Sequence, residues 1–270
     1  MAARLPCVAA LALAISACGE GQRPGDGPGG GGSAGPRCIT RVLLIGDEVP
    51  GGVAPLAVAL TAAGYQVTTS SATSSEFRGA PALMGASSPF GAVVLLDGGL
   101  RVPPVDMPAE GQQAIVDFVA AGHGLVLTEW AAFHVAASPT PRWKILEPLV
   151  LLERRDSYGG QVTYQVDPAF ASHPLWAGLP ASFTFTSTSN VGTRKPGPGV
   201  SRVAHSPQAI DAVVVRDLPP AGHDGGDPQT PGRVVHLSHA GNDVTSGWAN
   251  VNVLRLVANA VGWAARCERD

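Results

Sequence analysis

The sequence predicts an α/β protein built on a doubly wound, mostly parallel sheet with helices on both faces. Two observations carry this. Short continuous apolar runs recur, such as RVLLIG at Arg41–Gly46 and AVVLLD at Ala92–Asp97, and an uninterrupted apolar run marks a strand covered on both sides. Between them lie segments with helical periodicity, and strictly alternating strands and helices imply parallel crossovers.

Taken in order, Arg41–Gly46 is the first strand and Val53–Ala63 a helix stopped by Gly64, a residue suited to helix ends. Tyr65–Thr69 alternates as a second strand, Ser70–Pro89 reads as loop, and Ala92–Asp97 is a third strand. Met107–Ala121 places Ile115, Phe118 and Val119 on one helical face and closes at Gly122. Leu125–Thr128 follows as a strand, and its exit carries Glu129 and Trp130. Near the end, Arg233–Ser238 is a strand, and Asn250–Ala265 is a helix striped by Leu254, Val257, Val261 and Ala264. The middle is less regular. It predicts a helix near Trp143–Arg154, strands near Gln161–Val166, Phe183–Thr186, Arg202–Ala204 and Ala212–Arg216, and a loop over residues 221–232.

The start of the chain has a different role. Arg4 precedes the apolar run Val8–Ile15, which falls short of the roughly 20 residues a spanning helix needs. A positive start, a short apolar run and small residues make a secretory signal. Its last residues, Ile15-Ser16-Ala17-Cys18, resemble the lipobox of bacterial lipoproteins. That resemblance implies a signal peptide over residues 1–17 and a lipidated Cys18. Gly19 after the cysteine implies delivery to the outer membrane of a Gram-negative bacterium. Residues 19–37 contain nine glycines and three prolines, so nothing there offsets the entropy of ordering. With Cys18 they make a tether, residues 18–37, of roughly 25 Å root-mean-square reach. Residues 38–270 remain as one α/β domain, with no internal repeat.

Once Cys7 has left and Cys18 is acylated, Cys38 and Cys267 are the remaining cysteines. In an oxidising compartment they read as a disulfide. The last helix returns toward the edge where the first strand begins, so the topology brings both to one end. Without the signal, 17 basic face 21 acidic side chains, a formal charge of −4. Basic residues form no stripe, which excludes nucleic acid as a partner.

RVLLIGD, LTAAGYQVTT, GAVVLLDGG, QAIVDFVAAGHGLVLTEWA, SHPLWAGLP, GRVVHLSHAGND and VANAVGWAA, in that order, resemble the class I glutamine amidotransferase-like superfamily. Within it they are most similar to the trehalose-utilisation (ThuA-like) branch. The resemblance covers most of residues 41–265 and implies a flavodoxin-like architecture. Catalytic members carry a Gly-x-Cys-x-Gly elbow after the strand that here is GLVLT. This chain reads Thr128-Glu129-Trp130 there, with no thiol for nucleophilic attack, so it is not a glutamine amidotransferase. A Gly-x-Ser-x-Gly match occurs at Gly31–Gly35, inside the glycine-rich tether, and none follows a strand.

The strand exits supply the candidate site: Asp47, Asp97, Glu129 with Trp130, and His239 with Asp243. Carboxylates at such a crevice hold ligands or shift one another's pKa, or they cap the next helix. Trp130 either stacks on a sugar ring or packs in the core. His236 and His239 are three apart, so on a strand they face opposite sides and form no metal pair. The resemblance also places a histidine near the exit occupied by His239. His173-Pro174 reads as a turn with Trp176 packing down, and Asp224 and Asp227 match no calcium loop. No metal or cofactor is expected. Two functions stay open: a lipid-anchored envelope domain that binds a small molecule or partner without catalysis, or an envelope enzyme acting on carbohydrate through an acidic and histidine-bearing crevice.

Overall fold

The computed structural model describes residues 38–46, 53–83, 90–96, 105–128, 130–136, 142–217, 231–241 and 247–267. The apolar runs form the strands β1 (Arg41–Ile45), β3 (Ala92–Leu95), β4 (Gly124–Leu127) and β9 (Val234–Leu237), and β2 is Gln66–Thr69. β1, β3, β4 and β9 are parallel neighbours, with β2 parallel to β1 at one edge. Their register is flush: Leu44, Val94, Val126 and Val235 lie in one row, and Ile45, Leu95, Leu127 and His236 in the next.

Helices α1 (Ala54–Ala62), α2 (Ala109–Ala120) and α4 (Val251–Ala264) form where the periodicity places them, and α3 (Trp130–Ala136) follows β4. Asn250 caps α4, its side-chain oxygen accepting from the Asn252 and Val253 amides, which satisfies two of the orphan donors of a helix start. Side-chain alternation along the strands divides the core in two. Leu44, Val94, Val126 and Val235 pack with Leu56 and Leu60 of α1 and with Val253, Val257 and Val261 of α4. Leu43, Val93, Leu125 and Val234 pack with Ile115 and Phe118 of α2.

The middle of the chain overturns the expected fold class. Leu152–Val166 is one 15-residue strand, β5, and Ser182–Arg194 is β6. They pair antiparallel along nearly their whole length. β7 (Val200–Ser206) and β8 (Ile210–Arg216) continue the antiparallel run, and β8 joins β9. The result is a mixed ten-stranded sheet, in the order β10-β6-β5-β7-β8-β9-β4-β3-β1-β2, where β10 is His239–Ala240. A parallel contact between β6 and β8, at Gly192 opposite Ile210, closes β5, β6, β7 and β8 into a four-stranded barrel. A Cβ on Gly192 would collide with the Glu153 carbonyl of β5, so the close approach of β5 and β6 at this point needs glycine. The doubly wound, mostly parallel sheet is therefore not what forms.

The physical reason lies in β5. From Glu153 to Gln161 it is largely exposed, with Arg154, Arg155, Asp156, Ser157, Tyr158, Gly159 and Gly160 in succession. A strand wet on both faces has no apolar alternation to read. The helix expected near Trp143–Arg154 reduces to a single 3₁₀ turn at Glu147–Leu149, and β5 starts at once afterwards.

Cys38 and Cys267 form a disulfide with Cα atoms 4.8 Å apart. It ties the chain before β1 to the end of α4 across 229 residues. Constraining so long a loop reduces the entropy of the unfolded chain. The Cys38→Ser/Cys267→Ser double variant is expected to lose roughly 2–5 kcal/mol of unfolding free energy. Denaturant titration beside the wild type checks this, and equal midpoints would contradict it.

Candidate functional site

The flush register delivers four strand ends to one edge. Ile45, Leu95, Leu127 and His236 are side by side. Two residues beyond each comes Asp47, Asp97, Glu129 and Ser238. Asp47, Asp97, Glu129 and Asp243 lie outside the described residues, so the site rests on Ser238, His239, Trp130 and what packs around them.

Ser238 and His239 are fully buried. β10 pairs His239 with Ser189 of β6, where the inward face of β6 turns from Phe183 and Phe185 to Ser187, Ser189 and Asn190. A polar chain forms there. The His239 Nε2–H donates to the Gly247 carbonyl at 2.9 Å. A carbonyl only accepts, so the proton is on Nε2, and Nδ1 accepts the Ser187 hydroxyl at 2.7 Å. Ser187 in turn lies 2.8 Å from Ser189 Oγ. Beside them the Tyr164 and Ser238 hydroxyls are 2.8 Å apart. Phe185 and Trp248 meet the His239 ring edge-on, both at 5.0 Å. Burial pushes the His239 imidazole down to about 4, against the pull of the Gly247 bond. His239 is thus a neutral, fully bonded ring.

His236 belongs to another environment. Its Nδ1 accepts the Leu151 amide at 3.2 Å, across the sheet face from α4. Burial pushes it down to about 3; a hydrogen bond from the ring to the Thr128 backbone opposes this, and the Lys195 charge adds to the lowering. Among the described residues the two histidines share no hydrogen-bond partner.

Trp130 opens α3 and is 8% exposed, its indole N–H buried with no partner among the described residues. It packs edge-on against Phe133 at 5.4 Å. The guanidinium groups of Arg142 and Arg154 lie 5.4 and 5.0 Å from the Phe133 ring centre. His134 stacks on Trp143 at 4.6 Å and accepts from Arg142 Nε at 2.8 Å. His173 caps the short Pro174–Trp176 turn, where Trp176 is buried.

Sequence reading missed two polar groupings. Arg202 on β7 bonds Asp167 at 2.7 Å and Asp211 at 2.9 Å, while His205 Nδ1 lies 2.6 Å from Asp167. These pairs raise the Arg202 pKa further and tie the barrel strands together. The second is a cleft of about 410 Å³ bordered by Lys144, Lys195 and Arg216. Both assemble residues from separate strands, and no local spacing announces them.

Comparison with known proteins agrees on architecture. Neither a family model nor a curated protein matches the sequence. A ThuA-like protein from Parabacteroides merdae superimposes with a TM-score of 0.53 at 16% identity, over 85% of this chain and 90% of that one. A second, from Bacteroides uniformis, gives 0.50 at 16% identity over 86% and 94%. The carbohydrate deacetylase Agd3 gives 0.54 at 13% identity, over 83% of this chain and 32% of its own. The fold is thus similar to that of ThuA-like proteins, and at these identities the likeness extends to the fold alone.

The histidine environments set a pH dependence. In the unfolded chain both rings titrate near 6.5, and in the folded protein near 3 and 4. Between these values the unfolded state binds more protons, so stability falls as pH drops from about 6.5 toward 4. Each histidine contributes a slope of about 1.4 kcal/mol per pH unit. Denaturation across this range is expected to show the decline, with a shallower slope in His239→Gln. A flat profile would refute the buried neutral assignment.

Proposed function

We propose that this is a lipid-anchored cell-envelope protein whose globular domain binds a small molecule or a partner and does not hydrolyse glutamine. One observation carries the reading. After Cys18 the chain has two cysteines, and both are consumed in the Cys38–Cys267 disulfide. No thiolate is left to attack an amide, and β4 leads through Thr128 straight into α3 at Trp130. The hydroxyl that the buried His239 meets, on Ser187, is itself fully buried and also bonded to Ser189, so it is not presented to solvent. The disulfide also favours an exported location, which agrees with the Ile15–Cys18 stretch and the glycine-rich tether. A lipid on Cys18 would attach the protein to the membrane, on the outer-membrane side of the sorting rule.

The second reading, an envelope enzyme acting on carbohydrate, draws on the equal offset of Asp47, Asp97 and Glu129 beyond aligned strand ends. It also draws on the fold likeness to a carbohydrate deacetylase.

Lipidation, glutamine hydrolysis and sugar binding or turnover are the properties that test these readings. The mature protein is expected to carry a diacylglycerol mass on Cys18, and Cys18→Ser to move it from membrane to soluble fractions. Glutamine hydrolysis is expected to be absent; turnover sensitive to thiol alkylation would sink the non-catalytic reading. A thermal-shift screen against sugars, with Glu129→Gln beside the wild type, separates the two. Sugar turnover abolished by Glu129→Gln would establish the enzyme instead.

A further inference from the structure

The cleft at the far end of β8 is built from three separated stretches. Lys144, Glu147 and Pro148 come from the turn before β5, Val150 and Leu151 from its entry, Lys195 to Val200 from the β6–β7 connection, and Arg216 from the end of β8. The stretches are fastened together. The Lys195 amide donates to the Leu151 carbonyl at 2.8 Å, Arg216 Nη1 donates to the Pro148 carbonyl at 2.9 Å, and Val200 pairs with Arg216. Pro148, Pro196 and Pro198 stiffen the rim. The cavity exists before any ligand arrives, and its 410 Å³ lies within the range of small-molecule sites.

Its charge is unbalanced. Of the four ionisable groups lining it, three are cations and one is a carboxylate. Glu147 reaches only Lys195, at 3.7 Å and half-exposed, a geometry of little energetic weight. Asp217, next in sequence to Arg216, turns away to Arg233 at 3.2 Å and Arg266 at 3.9 Å. The Arg216 Nε–H is buried with no acceptor among the described residues. A buried donor on a cation without a partner costs free energy until an acceptor arrives. Val150, Leu151 and Val200 supply an apolar wall beside it.

We infer that this cleft binds a small molecule of about monosaccharide size bearing an oxyanion, phosphate or carboxylate, held by Arg216, Lys195 and Lys144 with its uncharged body against Val150, Leu151 and Val200. The inference names a site and a ligand chemistry within the small-molecule reading above and rests on it. The site is on the end of β8, the entry to β5 and the β6–β7 connection.

The test uses the full-length chain, titrated by calorimetry with glucose 6-phosphate, glucuronate, inorganic phosphate and, as the neutral control, glucose. Binding of at least one oxyanion, weakened by added salt and absent for glucose, is expected. Arg216→Gln and Lys195→Met are each expected to weaken it roughly tenfold or more, while Arg78→Gln, an exposed cation paired with Glu110 elsewhere, leaves it unchanged. Lys195 is partly exposed, so Lys195→Met reads the site even where Arg216→Gln perturbs folding. Comparing the three anions tells a phosphate site from a carboxylate site. Oxyanion binding that survives both cleft variants would overturn this site while leaving the small-molecule reading intact. No binding by any of these anions overturns the inference. If neutral sugars alone bind, the wider reading stands without it.

Discussion

The structure depends on the pairing of β9. Its four residues, Val234–Leu237, are buried, and they bond β4 in parallel on one side and β8 antiparallel on the other. This strand is the seam between the parallel and antiparallel halves. Slipping it by one position would exchange its two faces. Val235 and Leu237 would leave the α1–α4 cluster, and His236 would leave Leu151. The Leu151 amide would then be a buried donor without an acceptor, which costs more than the bond itself contributes. A histidine in an aliphatic row thus acts as a register pin, and its partner is the entry to the longest strand in the molecule.

Both polar features follow from that seam. At its exit, Ser238 and His239 turn into β10 and meet the polar stretch of β6, so the hydroxyls of Tyr164, Ser187 and Ser189 gather under one closed surface. At its start, Val234 faces Arg216, which holds the guanidinium over Pro148 at the cationic cleft. Lys195 of the cleft also bears electrostatically on His236 in the seam strand. The hydroxyls of Tyr164, Ser187, Ser189 and Ser238 spend themselves on mutual bonding, while the cleft gathers three cations around one carboxylate. This contrast is why the cleft, more than the buried histidine, has the character of a ligand site.

The readable parts of the sequence share one property, a local and regular apolar pattern. Arg41–Ile45, Ala92–Leu95, Gly124–Leu127 and the α4 stripe show it, and each forms where the pattern places it. The order of these segments also suffices for the likeness to ThuA-like folds. β5 and β6 were illegible beyond their apolar ends, because Arg154–Gly160 has water on both sides. Of the candidate residues, Trp130 and His239 are placed in aromatic and polar packing, and the strand-end acids lie outside the described residues. The Arg202 cluster and the cationic cleft left no trace, since Lys144, Lys195 and Arg216 are separated by dozens of residues and become neighbours only through strand pairing.

By itself the sequence determined the parallel strands, their helices, the cysteine pair and the lack of a nucleophilic thiol, because each follows from residue type or from contacts within a few positions. Tertiary structure alone decided the closed barrel, the mixed sheet, the neutral state of both buried histidines and the location of the unbalanced charge. Those depend on which distant backbones share hydrogen bonds, and on the burial that results, and neither is encoded in any single stretch of chain.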